Sequence, residues 1–185
     1  MTPLAEFEKA NGPRLDCQPA APEIIRAYQD RVPDSLSAHW ADAGFCGYAK
    51  GLLWITNPDD FTSLVKDWFG EQVNHLVFAR TALADLFLWS GSMVVLFNTQ
   101  YGKPMEVSNR LEIFFNYSLC KKSVLDNLCS RATFAKARRR LGSLSHDECY
   151  GYVPAVALGG SETVESLQKV KLREYLAILA QAVRP

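Results

Sequence analysis

The pattern of hydrophobic and polar positions changes twice along this chain, from helical spacing to strand spacing and back. Up to Gly44, apolar residues recur at helical intervals between prolines. Thr2-Pro3, Ala21-Pro22 and Pro33-Asp34 each read as a helix start, where proline is tolerated because the first N–H groups lack intrahelical partners anyway. Ile24, Ile25 and Tyr28 share one face of the second helix, and Leu36, Trp40 and Ala43 one face of the third. Gly44 ends this stretch, and residues 45–48 and 52–55 read as two strands of a hairpin around Gly51. The next helix has an explicit start signal. Asn57 suits the cap and Pro58 the first position, and Asp59 and Asp60 match the positive end of the helix dipole. Phe61, Leu64, Val65 and Trp68 follow at i, i+3, i+4 and i+7, which makes one apolar stripe, and Gly70 suits the closing turn.

Residues 75–81, 85–89, 93–99 and 105–107 read as strands, rich in Val, Phe, Leu and Trp and separated by short turns. Short spacers join strands as hairpins, so the sheet is expected to be antiparallel. Residues 93–97 show no polar alternation, which predicts burial on both faces. Past Ser108 the helical spacing returns. Leu111, Phe114 and Phe115 form one face, and Val124, Leu125, Leu128, Ala132 and Ala135 the next, up to the cations at 136–140. Residues 149–158 read as a short strand, broken by Gly159-Gly160, and Leu172, Tyr175, Leu176, Leu179 and Val183 define a last helix. The predicted class is α+β: an antiparallel sheet with flanking helices, followed by a smaller helix-rich C-terminal part. The expected division is 1–108 and 109–185.

Charge narrows the function classes. The chain has 185 residues, with 20 basic side chains against 20 acidic ones. A protein that lives on phosphate contacts usually carries a basic excess, and a nucleic-acid mimic an acidic one. Hydrophobic residues make up 48% and charged residues 22%, so the chain can build an ordinary core. The five cysteines, Cys17, Cys46, Cys120, Cys129 and Cys149, are odd in number and form no C-x-x-C. They are expected as reduced core thiols. Residues 1–9 carry acids and no apolar run, and no stretch reaches the ~20 apolar residues of a membrane span. The expected compartment is the cytoplasm.

Candidate chemistry is sparse. No metal, cofactor or nucleotide motif is present, and none is expected. The tetrapeptide His146-Asp147-Glu148-Cys149 places a histidine near a thiol, but neighbours on one chain rarely face each other productively. It reads rather as a surface loop entering a strand. Arg80 and Asp85 bracket a turn and are expected to pair. Lys136, Arg138, Arg139 and Arg140 suit either a helix end or an acidic partner such as nucleic acid. Asp59, Asp60, Asp67 and Glu71 make an acidic patch around one helix, either a solvated face or a partner contact. Tyr101, at an expected hairpin tip, is the aromatic best placed for an interface.

Several segments together resemble a known family. Trp40-x-x-x-Gly44-Phe45-x-Gly47-Tyr48, Gly51-Leu52-Leu53-Trp54 and Asn57-Pro58 resemble the opening of the bacterial GAD-like domain. Phe78-Ala79-Arg80-Thr81-Ala82 and Asp85-Leu86-Phe87-Leu88-Trp89 resemble its central hairpin. Gly151-Tyr152-Val153-Pro154-Ala155, Leu158-Gly159-Gly160 and residues 169–176 resemble the small C-terminal domain that accompanies it in immunity proteins against type VI secretion DNase toxins. The resemblance implies a cytoplasmic antitoxin without enzymatic activity, whose partner is a cognate secreted nuclease. Its motif residues are mostly Gly, Pro and aromatics, which make turns and core. The acidic patch and Tyr101 are therefore expected toxin contacts on charge and exposure alone.

Overall fold

A computed structural model describes residues 3–183, so the helix start expected at Thr2 lies outside the described residues. In chain order the elements are α1 (Ala5–Asn11), β1 (Leu15–Gln18), α2 (Pro22–Tyr28), α3 (Asp34–Ala43), β2 (Phe45–Tyr48) and β3 (Leu53–Ile55). Then come α4 (Thr62–Phe69), β4 (Leu76–Thr81), β5 (Leu86–Trp89), β6 (Val94–Asn98) and β7 (Lys103–Ser108). The last third holds α5 (Leu111–Ile113), α6 (Lys122–Cys129), α7 (Arg131–Leu141), β8 (Glu148–Tyr152), β9 (Leu167–Lys171) and α8 (Leu172–Ala182). Strands β1 to β7 form one seven-stranded sheet in chain order, each antiparallel to the next, and β8 and β9 form a separate hairpin.

Alternation along the central strands assigns the layers. Phe78, Phe87, Trp89, Val94 and Leu96 face one side of the sheet, where they meet Phe7 of α1, Trp40 of α3, Leu125 of α6 and Phe134 of α7. Val77, Leu86, Leu88, Val95 and Phe97 face the other, against Val65 and Trp68 of α4 and Leu176 and Leu179 of α8. A strand whose two faces are both covered cannot alternate with polar residues, which is why β6 reads as an unbroken apolar run. Each helical layer draws on both sides of Ser108, so both cores are shared by the N-terminal and C-terminal segments.

Four expectations change. Strand β1 was not expected, because Leu-Asp-Cys-Gln is only four residues long between Pro13 and Pro19; its place comes from pairing with β2, Leu15 opposite Gly47 and Gln18 opposite Phe45. Strand β9 was not expected either; it pairs antiparallel with β8, Lys171 opposite Glu148 and Leu167 opposite Tyr152. The single helix expected across 124–140 is two helices, because Ser130 turns left-handed at φ 49° between α6 and α7. The cysteines are not all reduced: Cys17 on β1 and Cys46 on β2 are joined by a disulfide, while Cys120, Cys129 and Cys149 are free. That pairing follows from β1 lying on β2, which the sequence pattern does not reveal.

Candidate functional site

The acidic helix stands where the start signal put it. Asn57 Oδ1 accepts the Asp59 N–H at 3.1 Å, and a 3-10 turn over Pro58–Phe61 leads into α4. Asp59, Asp60, Asp67 and Glu71 are all exposed. They are not equally free. The Tyr28 hydroxyl donates to Asp59, and Lys66 pairs with Glu71 at 2.8 Å. Asp60 and Asp67 keep unengaged carboxylates. Tyr101, 44% exposed, stands in the turn between β6 and β7 and donates its hydroxyl to Glu162 at 2.5 Å.

Beside Asp60 opens a cavity of about 370 Å³, built where the start of α2, the β2–β3 hairpin and the N-terminus of α8 converge. Its lining is mainly apolar, including Ile24, Phe45, Ile55, Phe61 and Leu172, and Arg80 forms part of the wall. Arg80 does not pair with Asp85. Its guanidinium lies towards β3, stacked 4.9 Å from the Trp54 ring, and donates to the carbonyls of Thr81 and His146. Asp85 lies towards β6 and accepts the Thr99 N–H at 3.1 Å. The turn they bracket is closed by backbone instead, Thr81 N–H to Asp85 C=O at 2.8 Å.

Cys149 and His146 do not form a thiol site. Cys149 is fully buried in the core, and burial pushes its thiol up to about 12, so the reactive thiolate is disfavoured. His146 is exposed in the preceding turn, its backbone N–H held by Asp16 at 2.8 Å. The basic stretch is partly spent inside the fold. Arg140 donates to the Val164 carbonyl at 2.7 Å and Arg138 to the Ser143 hydroxyl at 3.3 Å, which leaves Lys136 and Arg139 exposed. Among the described residues, no group of three or more His, Cys, Asp or Glu is disposed to hold a metal ion.

One partly buried polar cluster was not legible in the sequence. Glu8 on α1 accepts from Arg14 at 2.6 Å and from the Tyr48 hydroxyl at 3.1 Å, and that hydroxyl also lies 3.0 Å from His39 Nε2. Burial alone would raise the Glu8 carboxyl, but the hydrogen bonds from Arg14 and Tyr48 hold it below its ordinary value. Burial lowers His39. The cluster runs from buried His39 and Tyr48 out to Arg14 at the surface and ties α1, α3 and β2 together, so its role is cohesion.

Residues 3–102 match the GAD-like domain, more than half of the chain. The chain belongs to the GAD-like family. Residues 108–183 of this GAD-like protein match the C-terminal region of the T6SS immunity protein Tdi1. The pairing identifies it as a type VI secretion immunity protein. Its fold is that of the crystal structure of Atu4351 from Agrobacterium tumefaciens, with a TM-score of 0.81 at 20% identity, over 96% of this chain and 88% of that one. No curated protein matches it. Among the described residues, no helix of the GAD-like protein is long and apolar enough to cross a membrane.

Proposed function

We propose that this protein resides in the cytoplasm and binds a cognate DNase toxin of the type VI secretion system, inhibiting it without catalysis of its own. The observation that carries the reading is the sequence of two matched segments, GAD-like then Tdi1-type, in one chain. The shared cores support it: both segments pack into the same two apolar cores, so a partner can meet them together. Cytosolic proteins rarely keep disulfides, so the Cys17–Cys46 pair is expected as thiols there, with β1 held by its ladder to β2.

The proposed contact face has Asp60 and Asp67 at its rim, with Asp59 and Glu71 flanking them along the chain, and Tyr101 on the β6–β7 turn is a separate candidate contact. A nuclease that grips DNA carries a basic surface, and exposed carboxylates without internal partners are the groups free to meet it. A standard interface of ~1,600 Å² would extend well beyond these side chains and be anchored by a few buried residues at its centre.

The test is co-expression with the toxin gene, scoring growth and plasmid integrity, then capture of the toxin on tagged immunity protein through a high-salt wash. Rescue with capture is expected. Equal killing with and without this protein would reject the pairing. Reversing both Asp60 and Asp67 to Lys is expected to weaken capture most at low salt, because rim charges act mainly on encounter. A salt-independent loss, or none, removes these residues from the interface.

A further inference from the structure

Among the described residues Arg80 is the only fully buried lysine or arginine, and its electrostatic needs are not met. A guanidinium offers five N–H donors in a rigid planar fork. Here two neutral carbonyls, Thr81 at 3.3 Å and His146 at 2.6 Å, and the face of the Trp54 ring answer it, none of them a full negative charge, and its Nε–H has no partner. Among the described residues no carboxylate lies within ion-pair distance of it. Asp147, which lines the same cavity, is committed to Lys171. Burial lowers the Arg80 pKa to about 10, which leaves the side chain charged at neutral pH. A dry cation without a counter-ion is costly, and a protein that retains one has a polar use for it or supplies the anion from outside.

The cavity that Arg80 borders suits such an anion. Its volume of about 370 Å³ lies at the small end of ligand sites, and its walls are apolar with few polar groups. Its charged lining residues are Arg80, Arg173, Asp60 and Asp147, and with Asp147 answered by Lys171 they leave one positive charge over, with His146 beside them. One added negative charge answers Arg80, whereas a dianion such as phosphate would meet the two carboxylates without matching donors. We propose that this cavity binds a small organic monocarboxylate, its apolar body against Phe45, Ile55 and Phe61 and its carboxylate drawn to the Arg80 guanidinium, which a side-chain shift at the wall brings into contact because the closed wall leaves Arg80 no accessible surface. The lining spans Gln18 to Arg173, so occupancy braces the C-terminal segment against the sheet. The carboxylate has two possible sources, a free small acid or an Asp or Glu side chain of the toxin inserted at the mouth beside Asp60.

The test uses benzoate on the purified full-length protein, with benzamide as the neutral isostere and inorganic phosphate as the anion control. Benzoate is expected to raise Tm by several degrees and to shift the Arg80 Nε–H resonance, benzamide to do neither, and phosphate to do far less. Arg80→Met, which keeps the buried volume, is expected to abolish the Tm rise. The Nε–H reading needs no variant, so a misfolded Arg80→Met protein does not blunt the test. No shift and no Tm rise with benzoate, or an equal response to benzamide, overturns the site. Repeating the titration on the toxin complex separates the sources. Loss of the benzoate response, with toxin capture weakened about tenfold by excess benzoate, assigns the carboxylate to the toxin. An unchanged response assigns it to a free acid. The titration of the free protein does not involve the toxin, so it can fail while the antitoxin reading stands, and the reverse.

Discussion

The Tyr175 hydroxyl accepts the backbone N–H of Tyr152 at 2.9 Å. The same oxygen lies 3.0 Å from Gln100 Nε2, so one phenol on α8 joins the β8–β9 hairpin to the turn that follows β6. All three residues are buried there. Removing the hydroxyl leaves the Tyr152 N–H and the Gln100 side chain without this partner, and a buried donor left unpaired costs ~1–3 kcal/mol. Tyr175→Phe is expected to lower stability by about that amount in urea unfolding, with an unchanged m-value. A loss within experimental error would mean that water enters and replaces the hydroxyl.

Asp85 sets an expected pH dependence. Burial pushes its carboxyl up to about 7, the Thr99 N–H opposing and the Glu162 charge adding to the rise. Its ordinary value is 3.8, so between about pH 4 and 7 the folded protein binds more protons than the unfolded chain. Stability therefore falls as pH rises through that window: the contribution is complete below it and gone above it. Asp85→Asn keeps an oxygen for Thr99 and removes the charge. It is expected to flatten this slope and to gain ~1–2 kcal/mol over the wild type above pH 7, with no gain near pH 4. Chemical unfolding at the two ends of the window checks it, and parallel pH profiles for the two proteins would refute it.

Legibility followed the range of the interactions. The start of the acidic helix was readable because Asn57 and Pro58 act on their own next turn, and Asn57 does accept the Asp59 N–H. Strands β5 and β6 were readable because Leu86, Phe87, Leu88 and Trp89 carry their burial in their own side chains. Strand β1 was not: its Leu15 and Gln18 are placed by β2, roughly thirty residues on, and the disulfide with them. Arg80 shows the same limit at the site. Its expected partner was five residues away, whereas the group it bonds, the His146 carbonyl, is 66 residues away. The exposure of Asp60, Asp67 and Tyr101 was readable, but nothing in the pattern marked the cavity beside Asp60, because no single segment builds it.

The free thiols should differ sharply in reactivity. Cys120 is partly exposed, whereas Cys129 and Cys149 are buried, and burial raises all three thiols. Iodoacetamide on the native protein is expected to label Cys120 first and to leave Cys129 and Cys149 until denaturant is added, as read by peptide mass spectrometry. Rapid native labelling of Cys149 would contradict its enclosure and reopen the possibility of thiol chemistry with His146.

The shared cores bear on where the chain can be cut. Leu176 and Leu179 of α8 are fully buried against the sheet face that carries Val77, Leu88 and Phe97. On the opposite face Phe78 and Phe87 meet Phe114 and Phe115, which follow α5. Residues 1–108 alone would keep the whole seven-stranded sheet but lose cover from both of its faces. Apolar strands exposed on two sides do not stay monomeric. The expected outcome is a fragment that aggregates, or binds a hydrophobic dye and unfolds without a cooperative transition, while co-expression with residues 109–185 restores a soluble complex. A 1–108 fragment that unfolds cooperatively on its own would establish it as an independent domain. The expected result instead makes Ser108 a boundary between matched families rather than between folding units, so a toxin that seizes either segment acts on both.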